Sequence, residues 1–301
     1  DVAVEWTSEG AVFLSGVKVG VRTPSPGDLM DRAVAAAATA DAVVLVVGTS
    51  LDWETEGRDR DSMDLPGDQP ELIRRVCAAN GRTVVVVNSG SVVTSDWAEA
   101  APAVLQAWFG GQEMADALVD VLVGDDEPSG RLPTTMPHRL EDTPAFLSYP
   151  GENGRVAYSE GLFTGYRWYE ARRLPVAFPF GHGLGYTSFT WGEPSLGEIP
   201  SIAELEAGAT VTVTLPVTND GDRAGSEVVQ CYVAPTAPRL TRPVRELQGF
   251  AKVRLEPGGS ADVVVVLDHR AFAYWDPGDP GHSERSSRVP VAAGQGSGPR
   301  D

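Results

Sequence analysis

The sequence predicts an α/β layered sandwich with a mostly parallel sheet, followed by an all-β sandwich. Three observations carry this reading. Between residues 28 and 123, apolar runs of strand length alternate with amphipathic stretches of helix length. From about residue 205, short segments alternate apolar with polar residues, the pattern of half-buried strands. The 301 residues leave room for two domains of ordinary size.

The elements follow in order. Residues 1–22 read as two short strands, Val2–Trp6 and Ala11–Val21, and Thr23-Pro24-Ser25-Pro26-Gly27 reads as a linker. Leu29–Ala40 is an alanine-rich helix with Asp28 placed to cap it. Ala42–Val47 is a continuous apolar run, expected to be a strand buried on both faces. Gln69–Ala79 is a second helix, Thr83–Val87 and Ala103–Trp108 are two more strands, and Gln112–Val123 is a third helix. Strands and helices alternating at this spacing pack as a sheet of mostly parallel strands. Residues 125–192 are rich in Pro, Gly and aromatics and are expected to wrap the sheet as extended segments and loops.

Residues 193–204 are expected to be a linker. Thr210–Val217, Glu227–Val233, Val244–Val253 and Ser260–Leu267 then supply the strands of a sandwich, with a turn at Asn219-Asp220-Gly221-Asp222. Beyond Trp275 the composition turns to Gly, Pro, Ser, Arg and Asp, and Val289–Ala293 is the one apolar candidate for a further strand. The expectation is an incomplete sandwich over 205–282 and a disordered tail over 283–301.

Charge and composition exclude several functions. Lys and Arg number 24 against 42 Asp and Glu, a net charge of −18 that repels phosphate backbones and argues against nucleic acid as a partner. No apolar run approaches the ~20 residues of a membrane-spanning helix. The two cysteines and four histidines form no metal-ligand spacing, so no metal site is expected. Cys77 and Cys231 read as two separate buried thiols rather than one disulfide. No glycine-rich phosphate loop follows a strand, and no serine sits in a nucleophile elbow, so no nucleotide cofactor is expected. The chain opens Asp1-Val2-Ala3-Val4 with no targeting pattern, which leaves cytoplasmic and secreted settings both open.

Chemistry is expected in the loop after Val47, since ligands of α/β sheets gather beyond the carboxyl ends of the strands. There Asp52, Trp53, Glu54, Glu56, Arg58, Asp59 and Arg60 crowd together. A carboxyl that protonates a departing oxygen, beside an aromatic face for a sugar ring, suits glycoside chemistry. The same loop can equally be an acidic surface loop whose arginines pair with Asp52 or Asp59. Asp96-Trp97, Trp108-Phe109 and Tyr166–Tyr169 read as packing rather than sugar platforms, and His182 reads as structural.

The stretch Trp53-Glu54-Thr55-Glu56-Gly57-Arg58-Asp59-Arg60, followed by Leu65-Pro66-Gly67-Asp68-Gln69, resembles the C-terminal part of glycoside hydrolase family 3, the β-glucosidase family. The likeness continues through Asn88-Ser89-Gly90, Ala107–Glu113, Pro128–Pro137, Tyr158–Arg167 and Phe178–Thr187. Residues 23–192 are thereby identified with that family's C-terminal α/β domain. Residues 205–276 resemble the immunoglobulin-like, fibronectin type III-like domain that often follows it. Residues 1–22 resemble the remnant of an inserted β-domain.

The resemblance implies a retaining β-glucosidase-type glycosidase that hydrolyses O-glycosidic bonds. It places the catalytic acid/base at Glu56, directly before Gly57, with Glu54 as runner-up. It places Trp53 at the border of the sugar site, and gives Asp59 and Arg60 the task of holding the loop. The family's nucleophile is an Asp on a barrel that precedes these domains. Such a barrel needs ~200 residues or more, and 27 precede the α/β unit here. Ser95-Asp96-Trp97 looks like the nucleophile's motif but falls in the other domain and reads as coincidence. The implied function is therefore a catalytic half-site, inactive alone. Its substrate is a β-linked glucoside or oligosaccharide, and a separate barrel-bearing chain is the partner that would complete it. The alternative is a non-catalytic carbohydrate-binding or interaction module.

Overall fold

A computed structural model describes residues 26–278, 283–285 and 291–293, so the strands expected within 1–22 lie outside the described residues. Val43–Gly48 (β1), Thr83–Asn88 (β2) and Ala103–Gln106 (β3) form a parallel sheet in that order, with Val43 opposite Thr83 and Val84 opposite Ala103. Leu29–Thr39 (α1) leads into β1, Gln69–Ala79 (α2) crosses from β1 to β2, and Met114–Val123 (α3) follows β3. Ile73, Val76 and Cys77 recur at helical spacing on α2 and are buried. Ile73 and Cys77 share one core with Val47, Leu65, Val85, Val87, Val93 and Trp97.

Two details differ from expectation. Asp28 precedes α1, but its side chain makes no cap hydrogen bond, and its backbone (φ −105, ψ 10) is not the extended conformation a capping residue needs. β1 is not buried on both faces. Val47 points into the core, whereas Val44 and Val46 are 51% and 58% exposed. The reason is position: β1 is an edge of this sheet, and central β2 is the strand with both faces covered.

Residues 125–192 are mostly turns and loops, as expected, with one addition. Tyr166–Arg172 (α4) is a helix of seven residues that buries Tyr166 and Tyr169. Phe189–Trp191 (β4) and Ser195–Leu196 (β5) both pair antiparallel with Val211–Asn219 (β6). The stretch read as the end of the α/β domain and a linker over 193–204 thus already belongs to the sandwich by strand pairing. Ile202–Glu206 (α5) follows it, opened by a capping box between Ser201 and Glu204.

In the sandwich, β6 pairs with Ser260–Leu267 (β9), and Gly225–Val233 (β7) pairs with Glu246–Leu255 (β8). Alternate residues Val211, Val213, Leu215 and Val217 meet Val229, Cys231, Val233, Val263 and Val265 in the core. The turn at 219–222 therefore crosses between sheets. Its anchor is Asn219, fully buried, whose amide donates to the carbonyls of Arg223 (2.7 Å) and Leu255 (3.0 Å). Ala273–Trp275 (β10) pairs with Ser283–Arg285 (β11), and Val291–Ala293 (β12) pairs with the end of β7. The tail expected to be disordered over 283–301 thus holds two short strands, one of them from the apolar candidate. Ladder hydrogen bonds come from the backbone, so a Gly- and Ser-rich composition does not forbid them.

The wrap joins the two layers. Arg131 pairs with Glu227 of β7 at 2.7 Å. Gln230 donates to the Gly181 carbonyl at 3.0 Å and accepts from Tyr232 at 2.7 Å. The Leu247 amide donates to the Tyr166 hydroxyl at 2.7 Å, and the Tyr166 ring stacks on Phe180 with centroids 4.8 Å apart. Both cysteines are free and buried.

Candidate active site

The site begins where β1 ends. A Cβ on Gly48 would lie 1.9 Å from the carbonyl oxygen of Asn88, so only glycine lets β1 and β2 finish side by side. Gln69, the first residue of α2, clasps the same glycine: Gly48 N–H donates to its Oε1 at 2.7 Å, and its Nε2 donates to the Gly48 carbonyl at 2.9 Å. The loop between them leaves and returns at one point.

The far side of the loop is fastened to the segment after β2. Arg60 donates to the Val92 carbonyl at 2.9 Å, the Thr94 amide donates to the Met63 carbonyl at 2.8 Å, and the Thr94 hydroxyl donates to Asp64. Arg58 donates to the Asp52 carbonyl at 2.5 Å. Both arginines thus hold backbone of the loop system through these bonds. The Asp59 carboxylate, bonded to Tyr149, holds that phenol above its ordinary value.

Thr55 and Arg58 form an isolated antiparallel bridge, which puts Glu56-Gly57 at the turn between them. The two glutamates of this stretch have opposite surroundings. Glu54 accepts the Thr49 hydroxyl (2.5 Å) and the Gly90 amide (3.2 Å) on Oε1, and the Ser91 hydroxyl (3.0 Å) on Oε2. Partial burial pushes its carboxyl up, but the Thr49 and Ser91 bonds and the Arg60 charge outweigh it, and the net shift is downward. Glu56 is exposed, with no hydrogen bond or ion pair among the described residues.

An open cleft of about 450 Å³ is lined by Glu54, Thr55, Glu56, Arg58, Arg60, Gly90, Ser91 and Phe109. Phe109 is half exposed, and a Cβ on Gly90 would come within 2.7 Å of both Glu54 Oε2 and the Phe109 ring. Trp53 does not line this cleft. It is half-buried, and its indole N–H has no acceptor among the described residues. Three consecutive strand ends therefore build the cleft; the sequence places chemistry only at the first and reads Trp108-Phe109, beyond the third, as packing, which the half-exposed Phe109 ring at the cleft wall corrects. The signal for the others was the position of Gly90-Ser91 and Phe109 just beyond β2 and β3.

The remaining candidates have structural roles. Asp96 pairs with Arg74 of α2 at 2.8 Å, and Trp97 is 2% exposed in the core, donating to the Thr94 carbonyl at 2.9 Å. His182 packs 5.6 Å from the Phe178 ring, and burial and the Arg131 charge hold its imidazole below the ordinary value. No group of three or more His, Cys, Asp or Glu able to hold a metal occurs among the described residues. The cleft offers one unengaged carboxyl beside one that is engaged, and an aromatic ring at its wall.

Carboxyls carried beyond the strand ends of a parallel sheet, in a chain that continues into a β-sandwich, are compatible with many chemistries, and comparison with known proteins supplies the class, that of glycoside hydrolases. Residues 13–186 match the family model "Glycosyl hydrolase family 3 C-terminal domain", and residues 227–292 match "Fibronectin type III-like domain". The chain belongs to glycoside hydrolase family 3. The first match begins at residue 13, inside the segment read as the remnant of an inserted domain.

An Aspergillus clavatus protein described as "Probable beta-glucosidase I" is 48% identical over 250 residues, which cover 83% of this chain and 30% of that protein. The β-glucosidase of Kluyveromyces marxianus superposes with a TM-score of 0.85 at 40% identity, over 92% of this chain and 34% of that one. The same enzyme solved in complex with glucose gives 0.79 at 41% identity, over 86% and 30%. This chain thus spans about a third of the length of the relatives it matches.

Proposed function

We propose that this chain supplies the acid/base half of a retaining β-glucosidase site, with Glu56 as the acid/base and β-linked glucosides or oligosaccharides as substrates. The observation that carries the reading is that Glu56 is the carboxyl in the cleft that no protein group engages. Retention needs two carboxyls about 5–5.5 Å apart, one nucleophile and one acid/base. Glu54 is unsuited to be the second, because three donors already occupy its oxygens. The nucleophile is an Asp on a barrel-bearing segment or chain that closes the open side of the cleft. Leu51 and Phe109, both exposed, give that closure an apolar rim.

In the first step the nucleophile attacks the anomeric carbon while Glu56 gives its proton to the leaving oxygen. In the second, Glu56 takes a proton from water, which displaces the sugar from the nucleophile. Trp53 belongs to the same proposal only as the residue beside Glu54 in this loop: it stands outside the cleft lining and its indole N–H is buried, so its part is to border the site from beneath rather than to meet the sugar through that group.

The test is an assay with nitrophenyl β-glucoside. The 301 residues alone should show no turnover above background. Supplying a family 3 barrel by co-expression should restore it, and Glu56→Gln should abolish what is restored. Turnover by the chain alone would overturn the half-site, and restored turnover that survives Glu56→Gln would overturn the assignment of Glu56.

A further inference from the structure

Glu54 stands two residues before Glu56, in the same loop, and shares none of its freedom. Its carboxylate ties the start of the loop after β1, through Thr49, to the start of the loop after β2, through Gly90 and Ser91, while Arg60 and Asp64 fasten the far side of the same loop. We infer that Glu54 is a positioning residue, an ionised tether that fixes the turn presenting Glu56 to the cleft. The inference rests on the reading of Glu56 as the acid/base.

The argument is one of occupied lone pairs. An ionised carboxylate only accepts, with about four lone-pair sites on its two oxygens. Thr49, Gly90 and Ser91 are all in position to donate, and none needs a proton back. A protonated carboxyl would lose an acceptor site: the Thr49 or Ser91 hydroxyl could turn to accept its proton, but the Gly90 amide can only donate and would compete for the oxygen that remains. Bonds of this charge-assisted kind are the stronger class of protein hydrogen bond. Gly90 completes the fit, since any side chain there would push against Glu54 Oε2 at 2.7 Å.

The charged groups around Glu54 are consistent with the tether. Arg60 is the cation whose charge acts on it, while Glu56 and Arg58 share the cleft wall. From the loop after β2 the facing residues, Gly90 and Ser91, are uncharged, and so is Thr49 at the end of β1. The downward shift of Glu54 keeps it ionised at neutral pH and into mild acid. Its contribution is complete above the ordinary carboxylate range and is lost as pH falls through its lowered value.

Two nuclear magnetic resonance readouts on the full ¹⁵N-labelled chain test the idea: hydrogen exchange of the Gly90 amide and backbone order at Glu56. Glu54→Gln keeps the shape and removes the charge. It should speed Gly90 exchange by about tenfold or more and lower the order of Thr55–Arg58. In the unsubstituted chain the same loosening should appear on acidification, and in Glu54→Gln it should not depend on pH. Ser91→Ala, which removes one donor, should act in the same direction with smaller amplitude, and serves if Glu54→Gln fails to fold. Glu56→Gln should leave Gly90 protection unchanged. Because no turnover is read, failure of the acid/base assignment would leave these results standing. Equal order at Glu56 in both chains, insensitive to pH, would overturn the tether.

Discussion

Arg131 and Glu227 meet at 2.7 Å with side chains only 11% and 2% exposed, and they join the segment over 125–192 to the strand β7 of the sandwich. Such a pair adds little over an apolar one, but removing Arg131 takes a counter-charge away from a carboxylate that is 2% exposed. Arg131→Ala should therefore cost about 3–5 kcal/mol, read by urea denaturation. The two layers should unfold in one transition in the unsubstituted chain and separate into two in the variant.

His182 gives a pH dependence with a definite sign. Its folded value is held below the ordinary 6.5, so the unfolded chain takes up a proton first as pH falls. Stability from this group is full above the ordinary value and declines below it. Burial raises Glu170 and acts in the opposite sense, although Arg245 partly offsets it. The denaturation midpoint of His182→Gln should fall less between pH 7.5 and 5.5, windows of about a unit on either side of the ordinary value, than that of the unsubstituted chain.

The two thiols should be inert in the folded chain. Burial pushes Cys231 up to about 11 and raises Cys77 as well. The thiolate is the reactive form. A disulfide reagent should therefore label neither thiol in buffer and both in denaturant, counted by absorbance.

Ser95-Asp96-Trp97 tests the difference between a motif and a site. Asp96 makes a largely exposed pair with Arg74. Asp96→Asn should therefore change stability by less than about 1 kcal/mol and leave turnover of the barrel-complemented enzyme intact. Trp97→Ala removes a buried indole from the core and should cost about 3–5 kcal/mol.

How much of this is legible in the sequence varies with the element. α2 is read residue for residue, because Ile73, Val76 and Cys77 repeat at helical spacing and Pro70 marks the first turn. β1 is read as a strand, but periodicity cannot count the layers above it, so the exposure of Val44 and Val46 is invisible. α4 is hidden by its length and its aromatic content, and β11 and β12 by their tail-like composition. At the site, spacing finds the loop with both glutamates. What separates them lies 36 and 37 residues away at Gly90 and Ser91, which only the parallel pairing of β1 with β2 brings near.

The clasp of Gln69 on Gly48 has a consequence for how such a chain can diversify. Both hydrogen bonds close at the neck of the loop, so the contents of the loop are held by other contacts, at Glu54, Arg60, Asp64 and Leu65. Added residues in a closed loop cost little in chain entropy, about 0.6 kcal/mol per doubling of length. Residues can therefore be added at exposed positions such as Leu51 and Asp61 more readily than at Glu54, Arg60, Asp64 or Leu65, which fasten the segment. One glutamine amide acts as the drawstring that keeps the two ends together whatever is added between them.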